Sequence, residues 1–143
     1  METLKIVAFK IGEEEYGLDI GHVQSIERIQ SFTRVPNAPV FVKGVINLRG
    51  NVTPIVDLRS RLNLGQTQYT DSTRIIIVKL TDIELGFIVD ETTDVVDLVL
   101  EEIETASSSG LDSEYFGGIA KFEGRLIILL KLEELMKSIN EES

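Results

Sequence analysis

Apolar and polar side chains alternate along most of this chain with a period of two, the spacing of strands that bury one face. Ile6 and Ala8 open the pattern, and the run Ile75-Ile76-Ile77-Val78 concentrates it in β-branched residues before stopping at Lys79. A short turn at Thr81 and Asp82 leads into a second strand over Leu85 to Val89, which predicts a hairpin. A second hairpin is predicted with arms Val45 to Leu48 and Val52 to Val56, folded at Arg49-Gly50-Asn51. Glu13-Glu14-Glu15, between two strand-like segments, reads as a polar hairpin turn. Helices are few. Asp19 to Gln24 fits a short turn with Ile20 and Val23 on one face, and Leu132, Leu135, Met136 and Ile139 fall at i, i+3, i+4 and i+7. That last segment predicts a C-terminal helix serving as a lid over one barrel, with Lys137 near its end to suit the helix dipole.

The chain is also similar to itself. Residues 6 to 20 (IVAFKIGEEEYGLDI) slide onto 75 to 89 (IIIVKLTDIELGFIV) at an offset of 69, so that Ile6, Lys10, Glu15 and Gly17 meet Ile75, Lys79, Glu84 and Gly86. Residues 44 to 58 slide onto 118 to 132 at an offset of 74, bringing Gly44, Gly50 and Leu58 onto Gly118, Gly124 and Leu132. The growth in offset places a five-residue insertion in the second copy, within residues 99 to 117, where Ser107-Ser108-Ser109-Gly110 is the obvious site.

Two copies of four or five short strands with glycine-marked turns predict an all-β chain: two packed SH3-like five-stranded β-barrels with short helices and a C-terminal helix. Halves of this size are marginal alone, so they are expected to share apolar surface and behave as one domain over residues 1–143. The expected division is a first barrel over residues 5–70 and a second over 71–137, with room for a terminal strand to cross between them.

Composition narrows the function. The 143 residues are 43% hydrophobic, enough for a core, and carry 24 acidic against 14 basic side chains for a net charge of −10, a poor surface for nucleic acid. Residues 22 to 81 hold eight Lys or Arg and three Asp or Glu, whereas residues 82 to 120 hold eleven acids and no base, an asymmetry that concerns partners rather than fold. There is no cysteine and a single histidine, His22, which excludes thiol chemistry, disulfides and multi-histidine metal sites. The N-terminus lacks a secretion pattern and no run of eighteen apolar residues is present, so a cytosolic protein without membrane insertion is expected. Asn51-Val52-Thr53 matches a glycosylation sequon, but in such a protein the asparagine serves its turn.

No phosphate loop, dinucleotide fingerprint or nucleophile elbow appears, and no cofactor is implied. Acidic neighbours such as Asp90 with Glu91 or Glu101 with Glu102 point to opposite faces of a strand. A hydrolase built on Asp90 or Glu101 remains only as the enzymatic alternative. The most informative segment is Thr33 to Arg61, TRVPNAPVFVKGVINLRGNVTPIVDLRSR, where Pro36 and Pro39 confine the entry to an edge or a crossover and Gly44 admits close backbone approach. Its hairpin tip projects Arg49, whose planar fork either pairs with Asp57 or another local acid, or faces the carboxylate or carbonyls of a partner.

The run VPNAPVFVKGVINLRGNVTPIVDLR, preceded by EEEYGLDIGHVQSI and followed by LGFIVDETTDVV, resembles the CheW family of chemotaxis coupling proteins over about Lys5 to Lys137. The resemblance implies two SH3-like barrels with a shared core, no catalytic activity, and an adaptor recruited to membrane receptor arrays. Its partners would be the cytoplasmic tip of methyl-accepting chemotaxis receptors and the regulatory domain of the histidine kinase CheA; the same fold coupling a pilus or other array is the alternative pathway. Carried over by position, the receptor-facing surface comprises Ile20, Val23, Gly44 and Arg49, and the kinase-facing surface Gly86, Thr92 and Val95 on the second barrel. Two positions depart from the family pattern. Ser25 stands where many relatives have an acidic residue, and Glu91 replaces a common glycine.

Overall fold

The computed structural model describes residues 2–105 and 114–142, and their strands form two sheets. The first contains β1 (Thr3–Ile11), β2 (Glu14–Asp19), β8 (Glu91–Val99), β9 (Glu104–Thr105), β10 (Phe116–Phe122) and β11 (Arg125–Leu130), in the order β8-β1-β2-β11-β10-β9. The second contains β3 (Val23–Arg28), β4 (Val42–Leu48), β5 (Asn51–Asp57), β6 (Arg74–Leu80) and β7 (Ile83–Val89), in the order β3-β6-β7-β5-β4. The second sheet has the five strands expected, and the first gains a sixth through the two-residue β9. Short helical pieces are 3-10 turns at Ile20–His22 and Leu100–Glu102 and a helix α1 (Leu58–Arg61); among the described residues α2 (Leu132–Glu142) is the one long helix. The serine-rich insertion site, Ser107 to Gly110, lies outside the described residues.

The repeat read from the sequence is the repeat of the fold. β1 and β2 match β6 and β7, while β4 and β5 match β10 and β11. The hairpins turn on Arg49-Gly50 and Glu123-Gly124 with nearly the same left-handed φ values, 51° and 84° against 49° and 79°. These are two-residue turns, so Asn51 begins β5 instead of completing the loop. Likewise Glu14 and Glu15 are already in β2. The turn at Asp19 to Gln24 is helical only to His22, and Val23 starts a strand. α2 runs on to Glu142, which leaves Lys137 within it rather than at its end.

The expected division into 5–70 and 71–137 allowed for one terminal strand to cross between barrels, but the sheets interleave the copies hairpin by hairpin. One compact unit is formed by residues 1–21 with 93–142, the other by 22–92. In the first, β2 runs parallel to β11, and in the second β5 runs parallel to β7. Each barrel thus takes one hairpin from either copy, and the third strand of each copy leaves its own hairpin to pair elsewhere, β3 with β6 and β8 with β1.

The first unit is centred on Ile6, Ala8, Val96, Leu98, Ala120 and Ile127, the second on Ile46, Ile55, Ile75, Ile77 and Ile88. Ile6 to Phe9 and Ile75 to Val78 are buried at four consecutive positions, so both faces of these strands are covered, which is why they read as continuous apolar runs. Leu132, Leu135, Met136 and Ile139 are buried along α2, as their spacing predicts.

Candidate functional site

One row of residues crosses the second sheet: Gly44 opposite Ile55, Ile55 opposite Gly86, Gly86 opposite Ile77, and Ile77 opposite Ser25. Both glycines are buried. A methyl group on Gly44 would lie 2.4 Å from the Thr33 carbonyl oxygen, because residue 33 is bonded to Val45 in both directions at 2.8 Å and draws the preceding loop onto β4. At Gly86 it would lie 2.6 Å from Ile75 Cγ2 and 2.9 Å from Ile55 Cδ1. Gly118 and Gly17 stand in the same relation to Glu104 and Ile6. Gly44 and Gly86 are therefore buried packing positions.

The remaining candidates sort by exposure. Arg49 is exposed at the β4–β5 tip and makes no ion pair or side-chain hydrogen bond among the described residues. Its turn is braced by the Gly50 amide, which donates to Asn47 Oδ1 at 3.1 Å. The alternative partner Asp57 is fully buried and receives the amide and hydroxyl of Thr67, which leaves Arg49 facing outward. Val23 is half-buried at the start of the edge strand β3, and Ile20 is half-buried in the turn before it. Thr92 is half-buried and Val95 is 53% exposed, both on the edge strand β8. Of the three kinase-facing candidates, Gly86 and Thr92 fall in the unit that carries Arg49, and only Val95 falls in the other.

Charge also differs between the units, although the near-neutral one is no longer basic once residues 82–92 join it. Residues 22–92 hold eight basic and seven acidic side chains, net +1, while residues 1–21 with 93–142 hold six and seventeen, net −11.

Sequence reasoning missed the ion clusters, because their members are far apart in the chain. Arg125, at the start of β11, gives Nε and Nη2 to Glu15 at 3.0 and 2.7 Å, and Nη1 and Nη2 to Asp94 at 3.0 and 2.8 Å. These bonds hold the Asp94 carboxyl below the usual aspartate range and push the guanidinium further up. In the second unit Arg59 of α1 pairs with Asp90, and Arg61 lies over the Phe41 ring at 5.0 Å. Tyr69 titrates above the ordinary tyrosine range, first through burial and then through the Asp57 charge.

These arrangements are structural rather than catalytic. Asp90 is held by Arg59, and Glu101 lies exposed in a 3-10 turn, so the two acids of the enzymatic alternative serve separate places. Among the described residues no group of three or more His, Asp or Glu is placed to hold a metal, and no helix is long and apolar enough to cross a membrane.

Comparison with known proteins agrees with this picture of a packed, chemically quiet scaffold. The family model described as the CheW-like domain matches residues 5–140. The chemotaxis protein CheW of Bacillus subtilis (strain 168) is 41% identical over 142 residues, covering 97% of this chain and 90% of that protein. The chemotaxis protein CheW of Klebsiella aerogenes is 37% identical over 136 residues, covering 94% and 82%. The crystal structure of the scaffolding protein TtCheW from Thermoanaerobacter tengcongensis superposes with a TM-score of 0.89 at 36% identity, covering 99% of this chain and 98% of that one.

Proposed function

The chain belongs to the CheW family, and we propose that within it the protein works as a two-sided adaptor, with Arg49 at the centre of its receptor-facing side. It is a non-enzymatic scaffold of bacterial chemotaxis, and proteins of this family couple chemoreceptors to the kinase CheA. The finer reading concerns which residues do so. The observation that carries it is the isolation of Arg49: a rigid two-residue turn holds an exposed guanidinium that no described residue satisfies. A charge-assisted bond from that fork to the cytoplasmic tip of a receptor hairpin fixes orientation, and Val23, on the edge strand of the same unit, adds apolar contact. Ile20 sets the turn that leads into that strand. Gly44 supports the site from beneath by holding β4 against residue 33.

The kinase regulatory domain is assigned to the β8 edge, where Thr92 and Val95 are accessible and Gly86 acts only through the packing of β7. The excess negative charge of residues 1–21 and 93–142 then bears on encounter rate and partner choice. Recruitment to membrane arrays follows from holding both partners at once. Gel filtration of the protein with a CheA regulatory domain and a soluble receptor fragment tests the reading. A ternary species that forms only when all three are mixed is the expected result, and separate binary complexes that exclude each other would overturn it.

A further inference from the structure

The two units carry the same residue frame around one position and fill it differently. In the first unit Arg125, the residue after the Glu123-Gly124 turn, lays its guanidinium along Glu15 of β2 and leaves that side chain only 14% exposed. The offsets of the repeat make Asn51 the counterpart of Arg125 and Glu84 the counterpart of Glu15. The backbone supports the match, since Leu48 faces Asn51 across one hairpin as Phe122 faces Arg125 across the other. Asparagine is too short to reach the glutamate. What remains in the second unit is an open depression of about 400 Å³ lined by the hairpin residues 51–53 and, across from them, by Lys79, Asp82, Ile83 and Glu84.

Glu84 holds one bond there, from the buried Thr53 hydroxyl at 3.2 Å, and has no ion pair among the described residues. Its second oxygen is therefore available in the place where, in the other unit, the same carboxylate receives a guanidinium. Lys79 does not block this reading, because it stands opposite Glu84 as Lys10 stands opposite Glu15, and Lys10 coexists with Arg125. Val52 and Ile83, 72% and 40% exposed, supply apolar walls for an arginine stem.

We infer that this depression is a seat for an arginine side chain presented by a protein partner, which would take in trans the place that Arg125 takes in cis. Only the assignment of the arginine to a protein rests on the adaptor reading. Arg125 is gripped by two carboxylates, but the repeat puts Ser25 where Asp94 stands. The seat thus offers Glu84, with Asp82 nearby, and suits an occupant that exchanges rather than a permanent clamp.

The probe is N-acetyl-arginine methylamide, followed by amide chemical shifts of the full chain, with the lysine analogue as control. Saturable shifts confined to residues 51–53 and 79–84 are expected, weaker for lysine, and weakened about tenfold by Glu84→Gln, which keeps an acceptor for Thr53 but removes the charge. Asn51→Arg should abolish the titration by filling the seat from within. It should also raise the melting temperature by a few degrees, a gain that disappears in Asn51→Arg/Glu84→Gln. Shifts that do not saturate, that are unchanged by Glu84→Gln, or that survive Asn51→Arg would overturn the proposal. None of these readouts involves a partner protein, so a failed seat and a failed adaptor reading are told apart.

Discussion

Asp57 and Thr67 are joined twice at one buried carboxylate, the Thr67 amide donating to Oδ2 at 2.9 Å and its hydroxyl to Oδ1 at 2.6 Å. Asp57 closes β5 and is fully buried, so this pair fixes the loop between α1 and β6 against the end of a core strand. Asp57→Ala should cost roughly 2–3 kcal/mol in urea unfolding, because it removes a buried charged acceptor and leaves the half-buried Thr67 amide without its bond. Thr67→Val, which keeps the amide bond, should cost only about 1 kcal/mol. Asp57→Asn should lower the Tyr69 pKa only in part, since burial is the larger of its two causes; a phenolate absorbance titration reads this directly.

The Arg125 clamp makes a pH-dependent contribution to stability. Asp94 is held below the ordinary aspartate value of about 3.9, so the stabilisation it lends is complete above that value and is lost as pH falls through its folded-state pKa. Urea midpoints of the protein and of Asp94→Asn should therefore differ near pH 7 and converge in strong acid. The neutral-pH difference should stay within about 1 kcal/mol, since Asp94 is well exposed. Arg125→Lys should not restore what Arg125→Ala loses, because one ammonium cannot fork to both carboxylates.

Gly86 and Gly17 occupy equivalent places with unequal tolerance. The nearest neighbour of a Cβ at Gly17 is Ile6 Cδ1 at 2.5 Å, the free end of a side chain, whereas at Gly86 it is Ile75 Cγ2 at 2.6 Å, a methyl on the branched Cβ that moves only with χ1. Gly17→Ala should be rescued by Ile6→Val, and Gly86→Ala should keep a penalty of about 1–3 kcal/mol after trimming either Ile55 or Ile77 to valine. If Gly86 acts by packing, its substitution should reduce kinase binding only in proportion to the folded fraction. A fully folded Gly86→Ala protein that no longer binds would show direct contact instead.

Hairpins were legible in the sequence because period-two alternation and turn glycines are local signals, and both repeats of hairpins survive in the fold at their expected offsets. The way the hairpins associate was not. Gly17 and Gly86 present the same small surface to the same kind of isoleucine, so nothing local tells β2 to run beside β11 rather than β5. The candidate site divides along the same line. Arg49 was legible as a tip residue, but whether it pairs with a local acid or faces outward was decided only by the burial of Asp57; Gly44 and Gly86 came from resemblance, which marks sensitive positions without separating contact from packing. Arg125 and Glu15 escaped notice because 110 residues separate them. The aligned repeats held the signal, with an arginine in one copy where the other has Asn51.

Segregation of charge into a unit of net −11 and one of net +1 bears on kinetics. If the acidic unit steers the kinase, the association rate should fall steeply between low and physiological ionic strength while the dissociation rate changes little. Stopped-flow measurement across a salt series checks this, and a flat association rate would reduce those charges to solvation.

Arg49→Ala separates the two sides of the adaptor. The side chain is exposed and bonded to no described residue, so its removal should leave the unfolding midpoint within about 0.5 kcal/mol of the parent. The turn itself persists, because Asn47 still accepts the Gly50 amide. Arginine already bears the left-handed φ of 51° and alanine bears it about equally, so Arg49→Asn, which favours that conformation, serves as the control in which the turn is at least as stable. Both variants should lose receptor co-precipitation, whereas CheA binding should remain, since β8 lies outside the altered hairpin. Arg49→Lys should recover only part of the receptor affinity, because a point charge replaces the planar fork. Loss of both partners together, or of neither, would break the assignment of Arg49 to the receptor side and leave the scaffold fold untouched.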